Sequence, residues 1–255
     1  MTGGTDGLGL AALQTWINHG HHVLLLARNP EKCSVESDQL EVIACDLSSL
    51  DDMKQAVKSI EQKVDTIDVL VHNAGMWAFS FAETEDGVEQ TLQINVLSPI
   101  WLTTALMPLL LNASSPRVIA SASALHQGKI NFDDIEYRKS FSGFKAYRQS
   151  KLAVIVWIRY MARKEPRIFW ATQHPGVVNT RLVRDGGWLA NLFFRLFGKS
   201  PEKGAETLIY LVEAPLESLE SGEYYKNKRK AKTDTLASYD LRSGPKLIKL
   251  LERMD

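Results

Sequence analysis

Cysteine is scarce in these 255 residues: Cys33 and Cys45 are the only two, at neither a metal-binding nor a redox-pair spacing. They read as free thiols in a reducing compartment, and a cytoplasmic chain is the expectation. Long hydrophobic runs are also missing. No stretch is apolar for the ~18 residues a bilayer-spanning helix needs, and none has the pattern of a secretory leader. Charge of one sign has no excess either. Thirty Lys and Arg face thirty Asp and Glu, so no global field points to a nucleic acid or an anionic surface. Repeats and low-complexity segments are absent, which excludes solenoids and linkers. What remains, at 45% hydrophobic and 24% charged, suits one globular domain, taken here as residues 1–255.

Within that domain, strand-like and helix-like runs alternate. Strands are predicted at 22–27, 40–45, 67–72, 117–123, 167–173 and 223–225, most of them continuously apolar, as expected for strands covered on both faces. Helices are predicted near 8–19, 50–63, 85–111, 147–163 and 203–213. The order argues for an α/β fold with a doubly wound Rossmann-type parallel sheet, whose ligands bind at the carboxyl ends of the strands.

Chemistry-bearing residues collect at those ends. Tyr147 precedes Lys151 by four residues, which places both on one helix face a turn apart. An ammonium beside a phenol favours the phenolate, so the pair is expected to lower the Tyr147 pKa towards neutrality and to exchange a proton. Ser123 closes the strand-like run 117–123 and offers a hydroxyl to an oxygen of changing charge. A chance Tyr one turn before a Lys meets the same loose spacing, so the other strand ends carry the decision. The opening stretch Thr2-Gly3-Gly4-Thr5-Asp6-Gly7-Leu8-Gly9 lets the backbone turn tightly at Gly3, Gly7 and Gly9 and approach a pyrophosphate, with a helix N-terminus behind it. A plain glycine-rich turn has the same composition. Arg28, after the strand at 22–27, suits a ribose 2′-phosphate and therefore NADP(H); a surface arginine is the bland reading. Asp46, before Leu47, is placed to accept from an adenine amino group or to serve the start of the next helix. Asn73-Ala74-Gly75 keeps a strand end small enough for a ligand to come close. Asn95 is a weak helix former inside a predicted helix and needs a reason to be there. His174-Pro175-Gly176-Val177-Val178-Asn179-Thr180 places a turn at another strand end. His19-Gly20-His21-His22 shows no acidic or thiol partner, so no metal site is expected; histidines at a helix C-terminus suit the helix dipole.

In combination these pieces resemble the short-chain dehydrogenase/reductase family over nearly the whole chain. The matching residues are Gly3, Gly7, Leu8 and Gly9, then Asp46-Leu47, Asn73-Ala74-Gly75, Asn95, Ser123, Tyr147, Lys151 and Pro175-Gly176, in family order. Arg28, the long Ser123-to-Tyr147 spacer, residues 174–178 and Ser200-Pro201-Glu202-Lys203-Gly204-Ala205 are closest to its retinol-dehydrogenase-like branch. The resemblance implies an NADP(H)-dependent oxidoreductase acting on an apolar alcohol or carbonyl. Tyr147 would be the acid/base, Lys151 the ribose holder that lowers its pKa, Ser123 the partner of the reacting oxygen and Asn95 the holder of a relay water. It also implies cofactor contacts at Val178 and Thr180. His72 departs from the family's usual Asn, and retuning without loss of activity is expected. A non-catalytic NADP(H)-binding scaffold or sensor is the alternative, and an extended-branch epimerase or dehydratase a third.

Some segments carry two readings. Residues 188–197 (WLANLFFRLF), within a predicted substrate lid at 180–202, suit either an apolar substrate wall or a membrane-surface contact. The basic run 226–232 suits a solvated loop, with anionic lipid or a nuclear signal as the other reading. The apolar surfaces of 85–111 and 147–163 suit core or a homodimer interface. Finally, only Met1 precedes Thr2, so the first, central strand of the sheet is expected to be lacking. Its loss would leave a slot about 10 Å wide between the strands at 22–27 and 67–72. The expectation is a sequence that begins too late, with a further strand and a membrane anchor before it, or neighbouring strands that close the gap.

Overall fold

The computed structural model describes residues 1–176 and 200–254. In chain order its regular elements are α1 (Gly7–Asn18), β1 (Val23–Ala27), β2 (Leu40–Ala44), α2 (Leu50–Glu61) and β3 (Val69–His72). A compound helical run follows and contains α3 (Ser98–Ala105) and α4 (Met107–Leu111). After it come β4 (Arg117–Ser121), α5 (Gly143–Lys164), β5 (Phe169–His174), α6 (Pro201–Glu213), β6 (Glu223–Lys226), β7 (Arg229–Lys230) and α7 (Ser243–Lys249).

β1 pairs in parallel with β2, and β3, β4, β5 and β6 pair in parallel in that order, with β7 antiparallel at the edge. Thr2 lies between the two groups and bridges Leu26 on one side and His72 on the other. Thr2 N donates to Val71 O at 2.9 Å, Leu26 N donates to Met1 O at 2.8 Å, and Gly3 N donates to Leu26 O at 3.4 Å. The expected slot is thus spanned by Met1 to Gly3 at one rung, and β1 and β3 do not close on each other. The order is that of a doubly wound sheet with its first strand reduced to that rung.

Side chains alternate across this sheet with period two. Leu25, Val71, Ile119 and Ala171 face a cluster with Ala12, Leu13 and Trp16 of α1 and Leu208 and Leu211 of α6. Leu26, Leu70, Val118 and Trp170 face Met53 and Ile60 of α2, Ile100 of α3, and Leu152, Val156 and Trp157 of α5. α1 starts where the Asp6 carboxylate accepts from Gly7 N, and α2 where the Ser49 hydroxyl accepts from Asp52 N.

Two helices differ most from expectation. The predicted helix at 85–111 is four pieces: Gln90–Leu92, a π turn at Gln93–Leu97, α3 and α4. It begins late because Gly87 (φ 73°) makes a turn, and the Glu89 carboxylate then caps Thr91 N and Leu92 N. α5 begins four residues before Tyr147, capped by Ser142. The C-terminal residues, not assigned to elements from sequence, cover α5: Leu247 of α7 and Met254 are buried in its cluster. Residues 152–158 of α5 are therefore core within one chain. Two of the five cations of the basic run are paired locally, Lys228 with Glu206 (3.4 Å) and Lys230 with Glu220 (2.5 Å) and Glu223 (3.0 Å). Among the described residues no helix is long and apolar enough to cross a membrane.

Candidate active site

The carboxyl ends of β3, β4 and β5 meet the N-terminal half of α5. Tyr147 is 5% exposed there, and its hydroxyl faces that of Ser123. Ser123 follows β4, two residues past its end, and its Oγ accepts from Leu125 N at 3.1 Å. Lys151, one turn along from Tyr147, is equally buried; its Nζ donates to Ser121 O at 3.0 Å and lies 5.7 Å from the centre of the Tyr147 ring.

The electrostatics correct one expectation. Burial pushes the Tyr147 phenol up to about 12, against the hydrogen bond from Ser123, and burial pulls the Lys151 amine down to about 8. Lys151 faces the Tyr147 ring and is tied to the Ser121 carbonyl, so in this geometry it does not bring the phenol towards neutrality.

Asn95 has its reason. It sits in the π turn, where Oδ1 accepts from Met76 N at 2.8 Å and Nδ2 donates to Met76 O and Ser150 Oγ, each at 2.9 Å. Both amide hydrogens are used, so a relay water would have to bond to its remaining lone pair or to the backbone. Gly75 lies between the groups: a Cβ there would be 3.2 Å from both Asn95 Oδ1 and Lys151 Nζ.

The glycine loop packs against the same strand end. Asn73 Nδ2 donates to Gly3 O at 2.5 Å, its Oδ1 accepts from Ser121 Oγ at 3.2 Å, and Gln173 Nε2 donates to that hydroxyl at 2.8 Å. Ala74 N donates to Thr2 Oγ1 at 3.1 Å. Gly3 and Gly7 have φ of 71° and 55°. A Cβ on Gly3 would meet the Ala74 backbone and one on Gly9 the Gly3 carbonyl, both inside the 3.0 Å that real Cβ atoms keep. The loop is therefore a backbone surface with Leu8 beside it and the N-terminus of α1 behind it, which fits an anionic diphosphate.

Arg28 follows β1 with its side chain 71% exposed and its Nε 3.9 Å from Asp46 Oδ2. Asp46 Oδ1 accepts from Ser48 N (2.9 Å) and Ser48 Oγ (2.7 Å), so it serves the approach to α2, while Leu47 O accepts from Ser98 Oγ at 2.6 Å. Pro175 and Gly176 (φ 90°) follow β5 as expected. Val178, Thr180 and residues 188–197 of the predicted lid lie outside the described residues. His72 points into the helix layer, with Nε2 2.7 Å from Thr103 Oγ1, and burial lowers it to about 3. His19 and His21 do have an acidic partner, Glu213, at 2.8 and 3.4 Å, but no metal cluster occurs among the described residues.

Trp77 escaped the sequence reading. Its ring stacks on Tyr147, with centroids 4.6 Å apart and planes 8° from parallel. Phe79 also stacks with Trp77, its centroid 5.7 Å away, and Phe144 lies 5.9 Å away. Phe79 and Phe144 are each 45% exposed, so an aromatic rim runs outward from the phenol. The only signal was position, two residues after Gly75.

Known proteins resemble this chain in sequence and in fold. The profile of the short chain dehydrogenase family matches residues 1–186. Polyprenol dehydrogenase of Homo sapiens is 31% identical over 255 residues, spanning 91% of this chain and 77% of that protein. Retinol dehydrogenase 14 of Homo sapiens is 30% identical over 256 residues, spanning 88% and 76%. The crystal structure of NADPH-bound carbonyl reductase from chicken fatty liver has the same fold, with a TM-score of 0.69 at 22% identity, covering 91% of this chain and 96% of that one.

Proposed function

Since the chain belongs to the short-chain dehydrogenase/reductase family, in its retinol-dehydrogenase-like branch, and is thereby an oxidoreductase of alcohols and carbonyls, we propose that it uses NADP(H) and acts on a substrate with an apolar body. The observation that carries this reading is the set Tyr147, Ser123, Lys151 and Asn95 gathered beside the glycine loop, all but Ser123 buried.

NADP(H), when bound, supplies the hydride chemistry. Gly3, Gly7, Leu8 and Gly9 would hold its diphosphate and Arg28 its 2′-phosphate, with Asp46 and Leu47 along the adenosine side. Asn73, Ala74, Gly75, Pro175 and Gly176 would line the nicotinamide side; Val178 and Thr180 complete the proposed set. A phenol held at about 12 is fully protonated at neutral pH, so Tyr147 is poised to donate a proton to a carbonyl oxygen. The Ser123 hydroxyl steadies the same oxygen as its charge grows. Lys151, at about 8, is largely cationic at pH 7 and would hold the nicotinamide ribose. The exposed rings of Phe79 and Phe144, reached through Trp77, support an apolar substrate body.

The test is Tyr147→Phe, followed by NADPH absorbance against a panel of carbonyl compounds. Turnover falls about 100- to 10,000-fold, while NADPH still binds. An unchanged kcat sinks the assignment.

A further inference from the structure

His126 is almost completely buried, at 1% exposure, three residues after Ser123. Its Nδ1 lies 2.6 Å from Ser123 O, and its Nε2 2.9 Å from Asp234 N. A carbonyl only accepts and a backbone amide only donates. Nδ1 must therefore carry the hydrogen and Nε2 must be bare, which fixes one neutral tautomer. The ring edge packs on Tyr224 of β6, with centroids 5.2 Å apart.

The segment that His126 grips is itself anchored. Thr235 Oγ1 donates to Gly128 O at 3.2 Å. Arg159 Nη1 donates to Ser238 Oγ at 2.6 Å and to Ser238 O at 3.1 Å, and its guanidinium lies 3.8 Å from the Tyr239 ring centre. Arg159 is on α5, the helix that carries Tyr147 and Lys151. Residues 233–239 therefore form a strap that touches the turn of the serine through Asp234 and Thr235 and the helix of the tyrosine through Thr233 and Ser238. Ser123 and Tyr147 come from different elements, and their hydroxyls meet only if the turn after β4 and helix α5 keep a fixed relation.

We infer that His126 is a positioning residue for the reaction: through the strap it holds the Ser123 turn in register with the Tyr147 helix. It touches neither reacting atom. The inference rests on the roles proposed above for Ser123 and Tyr147. Leu125 N already engages one lone pair of Ser123 Oγ, so the serine hydroxyl has two directions left for its own hydrogen and both move with the turn. Freeing the Ser123 carbonyl lets the turn relax, and a displacement of about 1 Å costs on the order of 100-fold in rate.

His126→Phe keeps a ring against Tyr224 and removes both hydrogen bonds. We expect kcat to fall about 10- to 100-fold, with NADPH affinity and substrate KM within about threefold. His126→Gln carries a donor and an acceptor across a similar span and restores most of kcat. A folded His126→Phe protein with wild-type kcat overturns the inference, as does one whose kcat falls without rescue by Gln. Should His126→Phe not fold, Ser238→Ala decides, because it loosens the strap at Arg159 and leaves His126 intact: a lower kcat at unchanged NADPH affinity supports the inference, and wild-type kcat ends it. Tyr147→Phe is run beside these. If that variant still turns over, the catalytic assignment fails; if it is dead while the strap variants are fully active, only the inference fails.

Discussion

Lys151 is buried at the expense of the fold, and replacing it should make the protein more stable. Its amine is buried and lowered from 10.5 to about 8. That fall corresponds to about 3 kcal/mol lost by the folded state wherever the amine is charged in both states, which is the case at pH 7. A base with a depressed pKa contributes stability that is present above its unfolded value and lost as pH falls through its folded value. The wild-type protein should therefore gain stability as pH rises from 8 to 10.5, with about 1 kcal/mol of the penalty left at pH 10. Lys151→Met removes the charge and keeps the bulk, at the cost of the 3.0 Å bond to Ser121 O, worth about 1 kcal/mol. The net gain at pH 7 is about 2 kcal/mol, or roughly 4–8 °C in Tm for a domain of this size. Tyr147 has the opposite sign: raised to about 12, its contribution is present below 10 and lost as pH rises through 12, so the comparison should stop at pH 10. Thermal melts of cofactor-free wild type and Lys151→Met at pH 7 and pH 10 test this. A variant less stable at pH 7, or a gap that does not narrow towards pH 10, would show that the amine is not buried as described.

Three further outcomes are expected. Gly9→Ala drives a Cβ into the Gly3 carbonyl and should cost about 1–3 kcal/mol, or roughly 2–12 °C in Tm, together with NADPH affinity; a near-native melt would mean that the loop has room. Arg28→Ala should shrink a preference for NADPH over NADH by about one to two decades in titrations, and an undiminished preference would move phosphate reading to another residue. Trp77→Leu unstacks the Tyr147 ring and should lower kcat/KM for a short carbonyl about 2- to 12-fold, whereas unchanged kinetics would leave the stack without a role in orienting the phenol.

The residues that sequence reading placed well are those whose neighbours are close along the chain or fixed by strand ends. Tyr147 and Lys151 follow from helix geometry, and Asn73 and Gly75 from their place after an apolar run. Burial was harder to see, and it reversed the direction of the Tyr147 pKa. The slot beside β1 was visible, but not that Met1 to Gly3 would span it, because one rung of pairing leaves no periodicity to detect. Trp77 and His126 act through contacts with no regular spacing. Arg159, a basic residue near the end of an apolar helix, gave no sign of its bond to Ser238.

The π turn at Gln93–Leu97 makes the local sequence unusually sensitive to length. It holds one residue more than α-helical geometry would need there. Each helical residue turns the chain by about 100°, so deleting one of the five would restore an ordinary helix with its flanks in register and re-aim the side chains of the turn itself. Asn95 would then leave Met76 and Ser150. Gln93, Val96 and Leu97 are themselves buried, so both the composition and the number of these positions are constrained. Insertions and deletions tolerated in surface loops should be absent here, and a one-residue deletion should cost more activity than most substitutions along the same helix.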